Sequence, residues 1–409
     1  ATSTLREDTQ QKGLLFAGTE TQVYVSFDDG DHWQSLRLNM PPSSVRDLQV
    51  KDDDLVAGTH GRGYLVLDDI TPLRQLANKT AVTDAMLYRP QTALRIRGDM
   101  NPPTPWVPEM PTGENPPDGA IIEYYLGANT AGPVTLEILD SSNNVVGRFA
   151  STDPVPQLPP YYDVPTFWAR PPRILSAKGG HHRFLWDMRY PAVPGVATGP
   201  DADQAVPHNT PSTPTSPWVM TGSYSVRLTA DGKTLNAPLV VRMDPRVKAS
   251  TEDLQAQFDA SKQLYDDALQ ASEALQQIQS LREQIKKSAP NGSELDKKLE
   301  ALAGKAGGFR RGPAGPPTLT SARGTVIRLE HELQASDVAP TAQLLAASAA
   351  SRKTMAELLG QWKALQAQDL KAVNVERRRM HLDALNPRLK SLAADNDEIG
   401  GGNKDENEQ

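Results

Sequence analysis

A short pattern occurs twice near the start of the chain, forty residues apart. The first copy is residues 15–19, LFAGT, with Tyr24 after it, and the second is residues 55–59, LVAGT, with Tyr64 after it. Each copy runs from an apolar β-forming segment through a Gly-Thr step into a second such segment. A period near 40 residues made of short strands predicts blades of a β-propeller, which have about four strands each.

This repeat covers only part of a closed propeller, because at least four blades are needed to complete a ring. We therefore expect the remaining blades upstream of Ala1 or in another chain. Residues 1–77 are expected to form the terminal blade or blades of the propeller. The chain opens without a charged and apolar leader, so we expect either that a signal peptide and upstream sequence have been removed or that the sequence is cut from a longer one.

Composition excludes several classes of function. The 409 residues carry a formal charge of −7 without a dense basic stripe, which argues against a nucleic-acid partner. No run of 18 apolar residues occurs, so we predict no membrane span. Cysteine is absent, which excludes disulfides and thiolate metal sites and leaves the compartment open.

The middle of the chain changes from proline-rich to strand-like. Residues 78–117 are irregular and rich in proline, as expected of a connector. Residues 118–247 contain six or seven short β-rich runs, and Asp231-Gly232 marks a tight hairpin. We predict an immunoglobulin-like β-sandwich interrupted by two long proline-rich loops, 151–177 and 190–220.

The last part of the chain is composed of helix formers. Apolar residues recur at three-and-four spacing from Leu254 to Ile285, and Ser250 with Asp253 forms a capping pattern. Short connections between such segments predict an antiparallel helical hairpin or bundle over 248–392. The acidic, glycine-rich tail 393–409 is expected to be disordered. The fold class is thus multidomain, β plus α.

The first repeat also contains a specific turn motif. Ser26, Asp28, Gly30 and Trp33 match Ser-x-Asp-x-Gly-x-x-Trp, the Asp box of sialidase-like and sortilin-like propellers. An aspartate at such a turn accepts backbone N–H groups, and glycine supplies a positive φ. We expect Trp33 to fill a gap between sheets. The motif therefore predicts a structural role without chemistry.

A second turn, residues 59–63, places His60 and Arg62 between glycines. This arrangement favours two interpretations. Arg62 is suited to clamp a carboxylate or phosphate with His60 beside it, or the turn is merely tight and its arginine pairs with a neighbouring blade. These two residues are the candidate ligand-binding site.

Other clusters give no metal or cofactor prediction. His181 and His182 are adjacent on a strand, so they point to opposite faces and do not share a metal. Asp52, Asp53 and Asp54 suggest a solvated turn more than calcium. No pair of carboxylates can be assigned to glycoside hydrolysis from the sequence, so catalytic residues stay unassigned.

An ordered set of segments carries a family resemblance. Together they resemble the C-terminal portion of large bacterial exported proteins with Asp-box (BNR) repeats and a sortilin-like β-propeller, of the type labelled "glycosyl hydrolase". A Trp-Asp step followed by Gly-x-Tyr-x-Val-x-Leu is similar to the immunoglobulin-like module of flagellar hook-capping proteins. The segments are 57–63, 67–75, 114–120, 183–191, 207–211 and 222–228.

The resemblance implies an exported protein, periplasmic or extracellular, whose motifs here are architectural. We expect a non-catalytic binding or scaffolding portion, with carbohydrate or peptide as ligand. One alternative is part of a glycoside hydrolase whose active site lies mostly in absent blades, with His60 and Arg62 contributing. The other is a sortilin-like peptide-binding propeller.

Overall fold

The computed structural model of the chain describes residues 1–77, 84–98, 113, 116–128, 130, 132–155, 166–196, 199–201, 204–206, 208–287, 293–304 and 315–388. The predicted connector 78–117 lies largely outside the described residues, and the predicted tail 393–409 lies wholly outside them. The chain forms two compact units. The first contains Ala1–Pro191, Gly199–Ser212 and Val219–Val247, and the second contains Ala192–Thr198, Thr213–Trp218 and Lys248–Gln409.

The first unit begins with two antiparallel sheets whose strands follow chain order. The first sheet has four strands and the second has three. The repeated pattern forms the second and third strands of each sheet, as predicted from the sequence. The strands are β1 (Thr2–Glu7), β2 (Leu15–Thr19), β3 (Val23–Ser26) and β4 (Gln34–Ser35), then β5 (Val45–Lys51), β6 (Asp54–Thr59) and β7 (Tyr64–Leu67).

The two copies of the repeat differ by one residue in their turns. Gly18 lies opposite Val23 in the first sheet, whereas Gly58 lies opposite Tyr64 in the second. Tyr64 therefore occupies the structural position of Val23, although the sequence repeat aligns it with Tyr24. Because side chains alternate along a strand, the shift places the two tyrosines on opposite faces of their sheets.

The first sheet packs on the second through one apolar core. This core combines buried side chains of both sheets with Ile70. Gly18 allows the close approach, since a Cβ built on it would lie 2.7 Å from Val45 Cγ1. Burial of this surface is the main stabilising contribution to the stack. Its central residues are Phe16, Val23 and Val25 from the first sheet and Leu48, Leu55 and Ala57 from the second.

A buried arginine joins the two sheets at one end. Arg74 lies in the short helix α1 (Thr71–Leu76). Its Nε and Nη2 donate to the Asp8 carboxylate at 3.0 and 2.9 Å, and Nη1 pairs with Asp53. Asp8 belongs to the β1–β2 connection and Asp53 to the β5–β6 turn, so one guanidinium holds both. Such bidentate pairs are specific in geometry as well as strong.

The rest of the first unit consists of two further sheets around a second core. Their strand orders are β13-β10-β8 and β12-β11-β14-β15-β9, all antiparallel except β15 with β9. The predicted hairpin at Asp231-Gly232 is confirmed, and both residues have positive φ. Trp186 is buried at the centre of the core. The strands are β8 (Met86–Leu87), β9 (Ala93–Arg95), β10 (Ala120–Leu126), β11 (Thr135–Leu139), β12 (Val145–Ala150), β13 (Gly180–Trp186), β14 (Gly222–Ala230) and β15 (Lys233–Met243).

The second unit is helical, as predicted. The predicted cap is present, because Ser250 Oγ accepts the N–H of Asp253 at 3.1 Å and Asp253 Oδ2 accepts the N–H of Ser250 at 3.3 Å. Helices α2, α4 and α5 pack against one another, and a π turn over Gln366–Leu370 joins α5 to α6. The helices are α2 (Thr251–Lys287), α3 (Ser293–Ala303), α4 (Leu319–Leu333), α5 (Ala342–Leu365) and α6 (Lys371–Arg379). Among the described residues, no helix combines the length and apolar character needed to cross a bilayer.

Replacing Arg74 with methionine should loosen the stack of two sheets. The substitution leaves the Asp8 carboxylate buried without its cation, and breaking a buried pair costs about 3–5 kcal/mol. We expect backbone amides of β2 and β6 to exchange their hydrogens roughly two to four orders of magnitude faster. The control is Arg6→Ala, which removes an exposed pair with Asp47 worth about 0–1 kcal/mol. Equal exchange in the two variants would contradict the role given to Arg74.

Candidate functional site

The Asp-box turn connects β3 to β4 and is held by its own side chains. Asp28 Oδ1 accepts the Ser26 hydroxyl at 2.8 Å and the backbone N–H of His32 at 2.9 Å. Asp28 Oδ2 lies 2.6 Å from His32 Nδ1. Gly30 has φ +97°, the predicted positive value, and its N–H donates to Ser26 Oγ at 2.9 Å. These bonds organise the turn and involve both oxygens of the Asp28 carboxylate.

Trp33 was expected to fill a gap between sheets. Its side chain is 39% exposed and lies over the turn, 3.8 Å from a Cβ built on Gly30. The ring therefore covers the glycine of its own motif. The structure places Ser26, Asp28, Gly30 and Trp33 together in this one turn, as the motif predicts.

The hydrogen bonds of the Asp box change two pKa values. The backbone N–H of His32, followed by its ring and by the Ser26 hydroxyl, lowers the pKa of Asp28 from 3.8 to about 2. The Asp28 carboxylate in turn raises the pKa of His32. Since the bonds favour ionised Asp28, their stabilisation is present above its ordinary pKa and is lost as the pH falls toward 2.

The two Gly-Thr turns share one construction. Thr19 Oγ1 donates to the carbonyl of Gln22 at 2.8 Å, and Thr59 Oγ1 donates to the carbonyl of Gly63 at 2.7 Å. In the second turn Thr59 Oγ1 also accepts the N–H of Arg62 at 3.2 Å. The threonine hydroxyl therefore closes each turn by bonding to its backbone, a role that serine and threonine commonly have.

His60 and Arg62 lie in the second of these turns, between β6 and β7. Both side chains are exposed. The backbone N–H of His60 donates to the carbonyl of Ser44 at 2.8 Å, which places the turn at the end of the sheet where β5 begins. Among the described residues, neither side chain has a hydrogen-bonding or ion-pair partner. The guanidinium is therefore available to an anionic ligand.

The outer face of the second sheet carries three apolar residues on β6 and β7, two of which are exposed to solvent. Phe16, Val23 and Val25 of the first sheet are buried against the second sheet. The residues in the same positions of the second sheet are Val56, Tyr64 and Val66, and we call this set the Tyr64 face. Tyr64 is 80% exposed and Val66 is 52% exposed. The second sheet thus exposes side chains at positions whose equivalents in the first sheet are buried.

The outer face of the first sheet shows the reverse correspondence. Leu48, Ala57 and Leu65 of the second sheet share one face, which packs on the first sheet. Their counterparts in the first sheet are Leu5, Ala17 and Tyr24, which we call the Leu5 face. Leu5 is 51% exposed. The sheets therefore stack head to tail, and the Leu5 face of the first sheet and the Tyr64 face of the second lie outside the contact between them.

A buried acid that sequence reasoning missed lies on β10. The Glu123 carboxylate accepts Arg183 Nε at 2.6 Å and lies 2.9 Å from His181 Nε2. Arg183 also donates to the carbonyl of Asp68 at 2.6 Å. Burial, reinforced by Glu123, raises the pKa of Tyr88 to about 12. The cluster therefore joins β10, β13 and the Asp68 carbonyl within the first unit.

The adjacent histidines separate as the strand pattern predicts. His181 faces Glu123, whereas the ring of His182 lies 5.1 Å from that of Tyr124 on the opposite face. The aspartate turn at 52–54 is part of the Arg74 contact, through Asp53. Within the part of the chain that the structure describes, no group of three His, Cys, Asp or Glu side chains is arranged to hold a metal ion.

Comparisons with known proteins do not narrow the function. No family model matches the chain, and no curated protein matches it. The case for function therefore rests on the Asp-box turn, the exposed His60 and Arg62, and the two open sheet faces.

Titration of Asp28 tests the Asp-box geometry. Carbon-detected NMR should place its carboxyl midpoint near the predicted value of about 2. His32→Ala should raise the midpoint, because it removes the ring bond while keeping the backbone N–H. Ser26→Ala should also raise it, whereas Ser223→Ala on β14 should leave it unchanged. A midpoint that does not respond to His32→Ala or Ser26→Ala would contradict the turn described here.

Proposed function

We propose that residues 1–77 form two consecutive blades of a β-propeller and that the chain is a non-catalytic binding and scaffolding portion of a propeller protein. The head-to-tail stack carries this proposal. Its sheets follow chain order, the Asp box connects the third strand to the fourth, and an apolar face remains open at each end. Further blades on these faces would bury Leu5, Tyr64 and Val66.

The remaining elements support the scaffolding role. The two sheets that enclose Trp186 supply the paired layers and buried tryptophan of an immunoglobulin-like sandwich, and we propose that fold for them, although β9 joins β15 in parallel. The helical unit contains the long helix α2, and we propose a scaffolding role for this unit. We also propose an exported location, on the resemblance of the ordered motifs.

The turn that contains His60 and Arg62 is the proposed ligand contact. The connection from β4 to β5 reaches the same end of the stack, since Ser44 accepts the His60 N–H. In a ring of such sheets, every turn of this type and every connection between blades would lie on one side. An exposed arginine there favours a ligand with a carboxylate, such as an acidic sugar or a peptide C-terminus.

Binding with a matched arginine control tests this proposal. The chain and its Arg62→Ala and Arg148→Ala variants are applied to a glycan array and a peptide library. Arg148 is an exposed arginine on β12 and serves as the control. We expect Arg62→Ala alone to weaken binding of the carboxylate ligand by about tenfold or more.

Other results would favour other functions. Cleavage of glycosides by the chain, abolished by a carboxylate substitution within it, would overturn the non-catalytic role in favour of a glycoside hydrolase. Capture of peptides without response to sugars would favour a sortilin-like receptor. Binding that ignores Arg62→Ala would remove the His60–Arg62 turn from the ligand site.

A further inference from the structure

A groove runs along the surface of the helical unit between α3 and α5, and we call it the α3–α5 groove. Its volume is about 580 Å³, which is within the usual size range of small-molecule sites. Its walls are formed by α3, by α5 with the π turn that follows it, and by Pro316 and Pro317 just before α4. All of the lining residues lie in the second unit.

Ion pairs tie α3 to two neighbouring elements. Arg282 of α2 contacts Asp296 Oδ1 through Nε at 2.7 Å and Glu300 Oε2 through Nη2 at 3.1 Å. Lys298 pairs with Asp369, which belongs to the π turn at the end of α5. Turns of this kind inside helices occur frequently at functional sites. The groove therefore has walls that are held in place before a ligand arrives.

The floor of the groove is apolar. Leu302 of α3 and Leu358 of α5 are only 5% and 4% exposed, and the half-buried Leu365 extends the same surface. Ala301 and Ala364 also line the groove, and their small side chains occupy little of its space. An apolar group placed on this floor would be removed from water, which favours binding.

The Glu357 carboxylate gives the groove a negative charge. Within the part of the chain that the structure describes, this side chain forms no hydrogen bond or ion pair, and it is exposed at the groove. Lys298 and Asp369 neutralise each other, so the charge of Glu357 is uncompensated among the described lining residues. Lys353, one turn earlier on α5, does not line the groove. A carboxylate beside an apolar floor suits a ligand that joins a cationic group to an apolar body.

We propose that the α3–α5 groove binds a small amphipathic amine. Its apolar body covers Leu302 and Leu358, and its ammonium group pairs with Glu357. The uncompensated carboxylate disfavours an acidic ligand, whereas a neutral ligand gains only the contact with the floor. Since every lining residue belongs to the helical unit, the inference is independent of the propeller and of the His60–Arg62 turn.

Methyl NMR on the full chain tests this site with two matched probes, naphthylmethylamine and naphthylmethanol, of which only the amine is charged at neutral pH. Glu357→Gln removes the carboxylate, and its control Glu332→Gln changes an exposed glutamate of α4 outside the groove. Ala364→Phe fills the groove, and its control Ala349→Phe adds the same bulk at an exposed position of α5 that does not line it. Circular dichroism verifies that each variant folds.

The amine should shift the methyl signals of Leu302, Leu358 and Leu365 and bind about fivefold more tightly than the alcohol. Glu357→Gln should lower the affinity for the amine to that for the alcohol and leave binding of the alcohol unchanged. Ala364→Phe should abolish measurable binding of both probes, because its ring occupies their space. Both control variants should bind as the unaltered chain does.

Three results would overturn the inference. Groove methyl signals that do not respond to the amine show that the groove is not a ligand site. Equal binding by the Ala364→Phe variant and the unaltered chain shows that the probes bind elsewhere. Equal affinities of the unaltered chain for the amine and the alcohol, or an affinity for the amine that ignores Glu357→Gln, show that the ligand is not selected by its positive charge.

Discussion

The packing of the first sheet on the second determines what the start of this chain presents to its surroundings. Apolar burial drives the contact and Gly18 allows the close approach, while Arg74 locks the end by holding Asp8 and Asp53 together. Because one planar guanidinium bonds both connections, its hydrogen-bonding geometry restricts how the two sheets are oriented, in addition to the packing. The Tyr64 face and the Leu5 face are the two surfaces that this arrangement leaves uncovered.

The Asp box has a different physical character. Its bonds lie almost entirely between residues 26 and 33, so the motif can form in any sheet that supplies two neighbouring strands. This independence explains why the motif indicates architecture and says little about chemistry. Ionised Asp28 is stabilised by its own turn, and the same bonds leave it poorly suited to act as a proton donor or nucleophile.

Local features were predictable from sequence, whereas contacts distant along the chain were not. Alternation within one strand predicted that His181 and His182 face opposite ways, and the Asp231-Gly232 step predicted its hairpin. The sheet faces on which Tyr24 and Tyr64 lie were harder to predict, since one extra turn residue moves a side chain to the other face. The pairings of Arg74 with Asp8 and of Glu123 with Arg183 join residues more than fifty apart, and no sequence pattern marks them. The sequence identified His60 and Arg62 as the candidate site residues. Their exposure and their position beside Ser44 could be seen only in the folded structure.

A cysteine cross-link between the two sheets tests the stack most directly, and the chain contains no other cysteine to compete. A Cβ built on Gly18 would lie 3.1 Å from the Cβ of Val45, below the roughly 3.5–4.5 Å that a disulfide spans, so the two strands must separate by a few tenths of an ångström to form the bond. The variant combines Gly18→Cys and Val45→Cys with Thr4→Ser, which makes room for the new side chain. Mild oxidation should form the intramolecular disulfide rapidly and in high yield, as shown by the mass of the joined peptides. Free thiols after oxidation of the folded chain would contradict the head-to-tail stack and the function built on it.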